Sequence, residues 1–191
     1  MPCISPISRE VPISDLTLLL RALHFAADKH RGQRRKDAGA SPYINHPIAV
    51  AEVIARVGGV HTVHVLAAAT LHDTVEDTQT TFDELEREFG AEVRALVAEV
   101  TDDKSLGKEA RKLTQIEHVA HASIGAKLIK LGDKICNVLD VTNSPPPDWS
   151  NERRLEYLAW SDRVVAGCRG TNAALEARFD EVVARGRAEL G

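Results

Sequence analysis

The chain has 191 residues, of which 43% are hydrophobic, enough for one well-packed domain and short for two. Its formal net charge of −4 excludes a protein that attracts polyanions such as DNA as a whole, so any basic cluster is a local feature. Cys3, Cys136 and Cys168 lie far apart and give neither a CxxC metal pair nor a disulfide framework, while Arg21 and His24 cut off the apolar run 16–20 too early for a signal or membrane span. A soluble protein of the reducing cytoplasm, with no nucleic-acid or membrane partner, is the expectation.

Apolar spacing is helical along the whole chain. Ser14 is placed to cap a first helix that runs to about His30, with Leu16, Leu19, Leu20, Leu23, Ala26 and Ala27 on one side. Asn45 and His46 precede Pro47, expected at the first position of a second helix that carries Ile48, Val50, Val53, Ile54 and Val57 and closes at Gly58 and Gly59. Residues 63–71 (VHVLAAATL) are almost entirely apolar and so predict a buried helix. Thr81 and Glu84 form a capping box for a short helix ending near Gly90, and 91–100 continues as another. A polar helix follows over 108–118, then an amphipathic one over 124–141 with Leu128, Leu131, Ile135 and Val138 inward, before three prolines at 145–147 break the chain. Ser150 caps a helix to about Cys168, and Thr171 opens another to about Arg187. With no run of alternating strand character and no internal repeat, the spacing predicts an all-α bundle of about eight to ten helices. One domain over 14–191, preceded by a flexible segment over 1–13, is the expectation.

Chemistry concentrates in HDTVED (72–77). His72 and Asp73 supply an imidazole and a carboxylate from adjacent positions, a mixture that a divalent cation such as Mn²⁺ accepts. If the stretch is helical, His72, Asp73, Glu76 and Asp77 share an arc of about 140° on one face. The apolar helix before it would bury that face, and three buried carboxylates repel one another unless a cation or shared protons compensate. The competing reading is a satisfied core histidine beside a solvated acidic helix end. Arg31, Arg34, Arg35 and Lys36 form a basic cluster that, as a bare charge run, reads as a solvated face.

Around HDTVED stand RRKD (34–37), PYINHP (42–47), TDDK (101–104), LIKLGDKICNV (128–138) and EYLAW (156–160). In this order they resemble the HD-domain hydrolases of the RelA/SpoT family over nearly the whole chain, from about 18 to 175. The closest resemblance is to the free-standing form, in metazoan SpoT homologues and bacterial small alarmone hydrolases. Full-length RelA/SpoT proteins carry several hundred further residues for synthetase and regulatory domains, so the resemblance implies the free-standing form.

The resemblance implies hydrolysis of the 3′-pyrophosphate of the stringent-response alarmones ppGpp and pppGpp. It implies one Mn²⁺ per chain held by His46, His72, Asp73 and Asp133, with Glu76 and Asp77 left for acid–base work. Which of the two is base stays open, because coupled acids titrate as a unit. Arg35 and Lys36 would lie beside the nucleotide, the first as a flat guanidinium for a purine or phosphate, the second as a point charge. Asn137, one turn after Asp133, would present donor and acceptor to a guanine edge or ribose. Arg153 and Tyr157 resemble further nucleotide contacts, and Lys104, Lys108, Arg111 and Lys112 either hold departing pyrophosphate or decorate an exposed loop and helix.

Two positions depart from the family pattern or invite a second reading. Gly132 replaces the usual Ala at a cost of about 1 kcal/mol in a helix interior. Cys136 reads as a small buried hydrophobe in preference to a fifth ligand. The rival functions are removal of the 2′-phosphate of NADPH and a silent nucleotide sensor; retention of Glu76 and Asp77 argues against the sensor. Against NADPH stands its bulky nicotinamide half, which needs an open channel that the sequence does not announce. Homo-oligomer formation is left open.

Overall fold

The computed structural model describes residues 14–191, so the flexible segment expected over 1–13 lies outside the described residues. Among the described residues nine helices follow in order: α1 (Asp15–Lys29), α2 (Asn45–Arg56), α3 (Val63–Leu71), α4 (Thr74–Asp77), α5 (Phe82–Val100), α6 (Lys108–Val119), α7 (Ile124–Asn143), α8 (Asn151–Ala166) and α9 (Ala173–Leu190). Among the described residues the only β pairing is an isolated antiparallel bridge between Arg34 and Pro42, in the long α1–α2 loop. No described helix is long and apolar enough to cross a membrane.

Local signals set most boundaries. The Ser14 hydroxyl accepts from the Thr17 N–H, Ser123 caps α7 and Ser150 caps α8 in the same way. At α9 the cap is Asn172, not Thr171, because the Asn172 side chain reaches the Leu175 N–H. α2 begins at Asn45, two residues before Pro47, which therefore sits inside the first turn where its missing N–H leaves no bond unmade. The capping box at Thr81 is only half formed: its hydroxyl takes the Glu84 N–H, but the Glu84 carboxylate turns away to Lys29 at 2.8 Å. Gly90, with φ +85°, kinks α5 where two separate helices were expected.

α3 and α7 form the centre. Every residue of α3 except His64 is buried, and α1, α2, α5 and α7 pack around it. α7 is buried over six consecutive residues from Leu131 to Cys136 and lies against α2, α8 and α9. Gly132 permits the α7–α2 approach: a Cβ there would lie 2.8 Å from Ile54 Cγ1 and 3.2 Å from Val50 Cγ1. What reads in sequence as a helix-weakening residue is a packing requirement.

HDTVED is not one continuous helix. α3 stops at Leu71, His72 and Asp73 form a turn with φ/ψ of −57°/−32° and −95°/−5°, and α4 supplies a single further turn. The four polar side chains therefore share a region without stacking along one helical face.

Candidate active site

His46 comes from the first turn of α2, His72 from the α3–α4 turn and Asp133 from mid-α7. All three are buried, and one ligand atom from each lies within 4.8 Å of the others. His46 Nε2 is 3.2 Å and His72 Nε2 3.8 Å from Asp133 Oδ1. Asp73 Oδ2 flanks both rings, 3.2 Å from His72 Nε2 and 3.9 Å from His46 Nε2. The His72 ring donates from Nδ1 to the Ala69 carbonyl at 2.7 Å, which turns the lone pair of Nε2 toward the carboxylates. That Nε2 is buried and makes no hydrogen bond. A divalent cation satisfies such an orphan, and two imidazoles with a buried carboxylate are a donor set it accepts.

Without a cation, protons must balance these charges. Burial works against a charge on His72, but Asp73 and Asp133 outweigh it and push the ring's pKa up to about 10. Burial likewise works against charge on the two carboxylates. His72 and His46 nevertheless hold Asp73 low, while Lys134 and the histidines hold Asp133 well below the usual carboxylate range. Lys134, itself buried, places Nζ 3.1 Å from Asp133 Oδ2 and 4.3 Å above the Trp160 ring.

Glu76 and Asp77 line a cavity of about 180 Å³ together with this cluster. The Tyr43 hydroxyl lies 2.7 Å from Asp73 Oδ2 and 2.9 Å from Asp77 Oδ2. Lys104 meets the other Asp77 oxygen at 2.5 Å, so of the four cations over 104–112 this one reaches the site. Glu76 Oε2 accepts from the Asp102 N–H at 3.2 Å, and burial, reinforced by the Asp102 charge, raises its pKa.

Beside the cluster opens a larger cavity of about 610 Å³, walled by Arg35, Lys36, Asn137, Asp140, Trp149 and Tyr157 among others. Arg35 Nη2 reaches Asn137 Oδ1 at 3.0 Å and Asp140 Oδ2 at 2.5 Å. Asn137 Nδ2 donates to Asp133 Oδ1 at 2.6 Å. Both ends of the Asn137 amide are thus engaged within the protein, a different role from the free reader of a guanine edge expected from its position.

The model of the HD domain family matches residues 22–158. The chain belongs to the HD domain family. It is 52% identical over 169 residues to guanosine-3′,5′-bis(diphosphate) 3′-pyrophosphohydrolase MESH1 of Xenopus tropicalis, covering 88% of this chain and 94% of that one. To the Homo sapiens protein of the same name it is 54% identical over 163 residues, 85% of this chain and 91% of the relative. Among solved structures it matches, with a TM-score of 0.85 and 44% identity over 96% and 98% of the two chains, one described as a metazoan ortholog of SpoT that hydrolyzes ppGpp and plays a role in starvation responses. A Listeria monocytogenes structure matches at a TM-score of 0.61 and 28% identity, over 78% of this chain and 98% of that one.

In this HD-domain protein the structure brings His46, His72, Asp73, Glu76, Asp77 and Asp133 together, with Arg35, Asn137 and Tyr157 next to them and Lys36 exposed on the cavity wall. Arg153 does not line this cavity. It lies 4.3 Å above the Trp149 ring and 3.7 Å from Asp148, on a neighbouring groove of about 970 Å³ that also receives Lys108, Arg111 and Lys112. Tyr157 and Trp149 form the divide between the two. Tyr43, Lys134 and Asp140 were not singled out from the sequence. The available signals were their places beside His46 in PYINHP and beside Asp133 in GDK, and one turn after Arg35's partner Asn137.

Proposed function

We propose that the chain is a Mn²⁺-dependent (p)ppGpp 3′-pyrophosphohydrolase, acting through one metal-dependent domain over 14–191. The observation that carries this reading is the orphaned His72 Nε2 inside a buried His/His/Asp cluster that opens on a cation-walled, nucleotide-sized cavity. The activity named for relatives about half identical over most of the chain supports it.

His46, His72, Asp73 and Asp133 would hold one Mn²⁺. When bound it supplies Lewis acidity to a phosphoryl oxygen and lowers the pKa of water. Asp77, oriented by its contacts with Lys104 and Tyr43, takes a proton from the attacking water. The phosphorus–oxygen bond to the ribose 3′ oxygen breaks, and Glu76, whose burial favours its protonated form, returns a proton to that oxygen. The products are pyrophosphate and GDP from ppGpp, or GTP from pppGpp.

Arg35 and Lys36 meet the nucleotide, Tyr157 offers its ring, and Asn137 orients Arg35 and Asp133 instead of reading the base. Arg153, with Lys108, Arg111 and Lys112, suits the 5′ phosphates where they extend over the divide.

NADPH is a second reading that one observation favours. The adjoining groove provides the room for a bulky second half that the sequence did not announce, so size no longer argues against that ligand. Charge does not separate the two ligands, because five cations, Lys108, Arg111, Lys112, Arg153 and Arg163, share the groove with four carboxylates, Asp102, Glu109, Glu152 and Glu156. Parallel product assays by ion-exchange chromatography under the same Mn²⁺ conditions decide between them. Pyrophosphate release from ppGpp should exceed orthophosphate release from NADPH at least about tenfold in kcat/KM. Equal efficiencies, or a preference for NADPH, would overturn the alarmone reading.

A further inference from the structure

The loop between α1 and α2 grips Asp77 from two directions. Its side chain meets the Tyr43 hydroxyl at 2.9 Å, and its backbone carbonyl accepts from Gln33 Nε2 at 2.5 Å. Gln33 Oε1 in turn lies 2.6 Å from Nδ1 of His30, a residue only 2% exposed. The His30 ring stacks on Tyr43 with centroids 4.7 Å apart and planes 25° apart, and the Arg35 guanidinium stands 5.7 Å from the centroid of the same tyrosine ring. The circuit closes through the backbone, where the Tyr43 N–H donates to the Gln33 carbonyl at 3.2 Å.

Such an assembly is expensive to bury unless its members are needed, since three polar side chains are ordered around one short turn. α4 is only four residues long and begins just after the loosened turn at Asp73, so its own hydrogen bonds do little to fix the direction of Asp77. Without the loop, the carboxylate would have a rotamer choice between Lys104 and the solvent-facing rim.

We propose that Tyr43 is a positioning residue for the reaction, with Gln33 and His30 as its brace. Its single hydroxyl proton, shared between Asp73 Oδ2 and Asp77 Oδ2, holds the Asp77 carboxylate beside Asp73 and so fixes the base at a set distance from the proposed metal shell. The inference rests on the reading of Asp77 as the base.

The test is Tyr43→Phe, which keeps the stacked ring and removes only the hydroxyl, studied beside Gln33→Met. In both, metal content by mass spectrometry should stay equal to that of the unmodified protein and KM for ppGpp should remain within about twofold, while kcat falls about tenfold or more. An unchanged kcat in Tyr43→Phe overturns the proposal. So does a rise in KM alone, which would make Tyr43 a nucleotide contact, or loss of metal, which would make it support for the shell. A crystal structure of Mn²⁺-loaded Tyr43→Phe reads the same point without any substrate. The Asp77 carboxylate should leave its place beside Asp73, and an unmoved carboxylate overturns the proposal even if ppGpp proves to be the wrong substrate.

Discussion

Lys134 and Asp133 are sequence neighbours on α7 whose side chains meet inside the protein, Nζ to Oδ2 at 3.1 Å, while Oδ1 of the same carboxylate faces His46. Adjacent residues on a helix diverge by 100°, yet the long lysine stem curls back to its neighbour within the stretch of α7 that is buried from Leu131 to Cys136. Lys134 thereby compensates one oxygen and leaves the other for the histidine side.

Removing that ammonium should expose the dependence. Lys134→Met keeps the length and apolar stem but leaves Asp133 without its cation, and breaking a buried pair costs about 3–5 kcal/mol. Bound metal replaces part of the lost compensation. Thermal unfolding should therefore show a large drop in Tm for the metal-free variant and a smaller one with Mn²⁺. Equal drops in both states would show that Lys134 matters for packing alone.

Metal binding should release protons. His72, held protonated up to about pH 10 by Asp73 and Asp133, must give up the Nε2 proton to become a ligand. Its folded pKa lies above the unfolded value of about 6.5, so in the metal-free protein this group stabilises the fold below that pH. The contribution is lost as pH rises toward 10. Metal-free Tm should thus decline from neutral to alkaline pH, Mn²⁺ should flatten the decline, and calorimetry in buffers of different ionisation enthalpy should report proton release at neutral pH. His46→Ala and Asp133→Ala should lose the metal and the flattening together.

Glu76→Gln and Asp77→Asn keep shape and hydrogen-bonding reach but remove a charge. Turnover should fall about a hundredfold or more in each while metal content stays intact. Glu76→Gln should also be neutral or mildly stabilising, because the burial that raises its pKa penalises the ionised form. Unchanged turnover in both variants would move the proton transfers to other groups.

Gly132→Ala sets two effects against each other. Helix propensity favours alanine by about 1 kcal/mol, whereas overpacking of a tight contact costs about 1–3 kcal/mol. With Ile54 and Val50 both fully buried and a Cβ only 2.8 Å from Ile54, the contact should win and denaturant unfolding should show a net loss of stability. A net gain would mean that α2 shifts freely against α7.

Helix placement was legible because its causes are local: Ser14 and Ser150 cap where their spacing predicts, and Gly90 interrupts α5 where it should. The cluster of His46, His72, Asp73 and Asp133 was legible through motif order and the resemblance it carries. What stayed hidden depends on segments far apart in sequence. Nothing local says that Tyr43 will find Asp77, that Arg35 will find Asp140, or that Asn137 will spend both ends of its amide inside the protein. The break after Leu71 was also unreadable, since an uninterrupted helix satisfies the same local preferences.

The hydrogen-bonded series from Arg35 through Asn137 to Asp133 has a thermodynamic meaning. Whatever occupies the larger cavity and draws on Arg35 changes the second hydrogen bond of a residue in the cation cluster. The two occupants are then not independent, and linkage is reciprocal: the factor by which the ion changes affinity for the nucleotide equals the factor by which the nucleotide changes affinity for the ion.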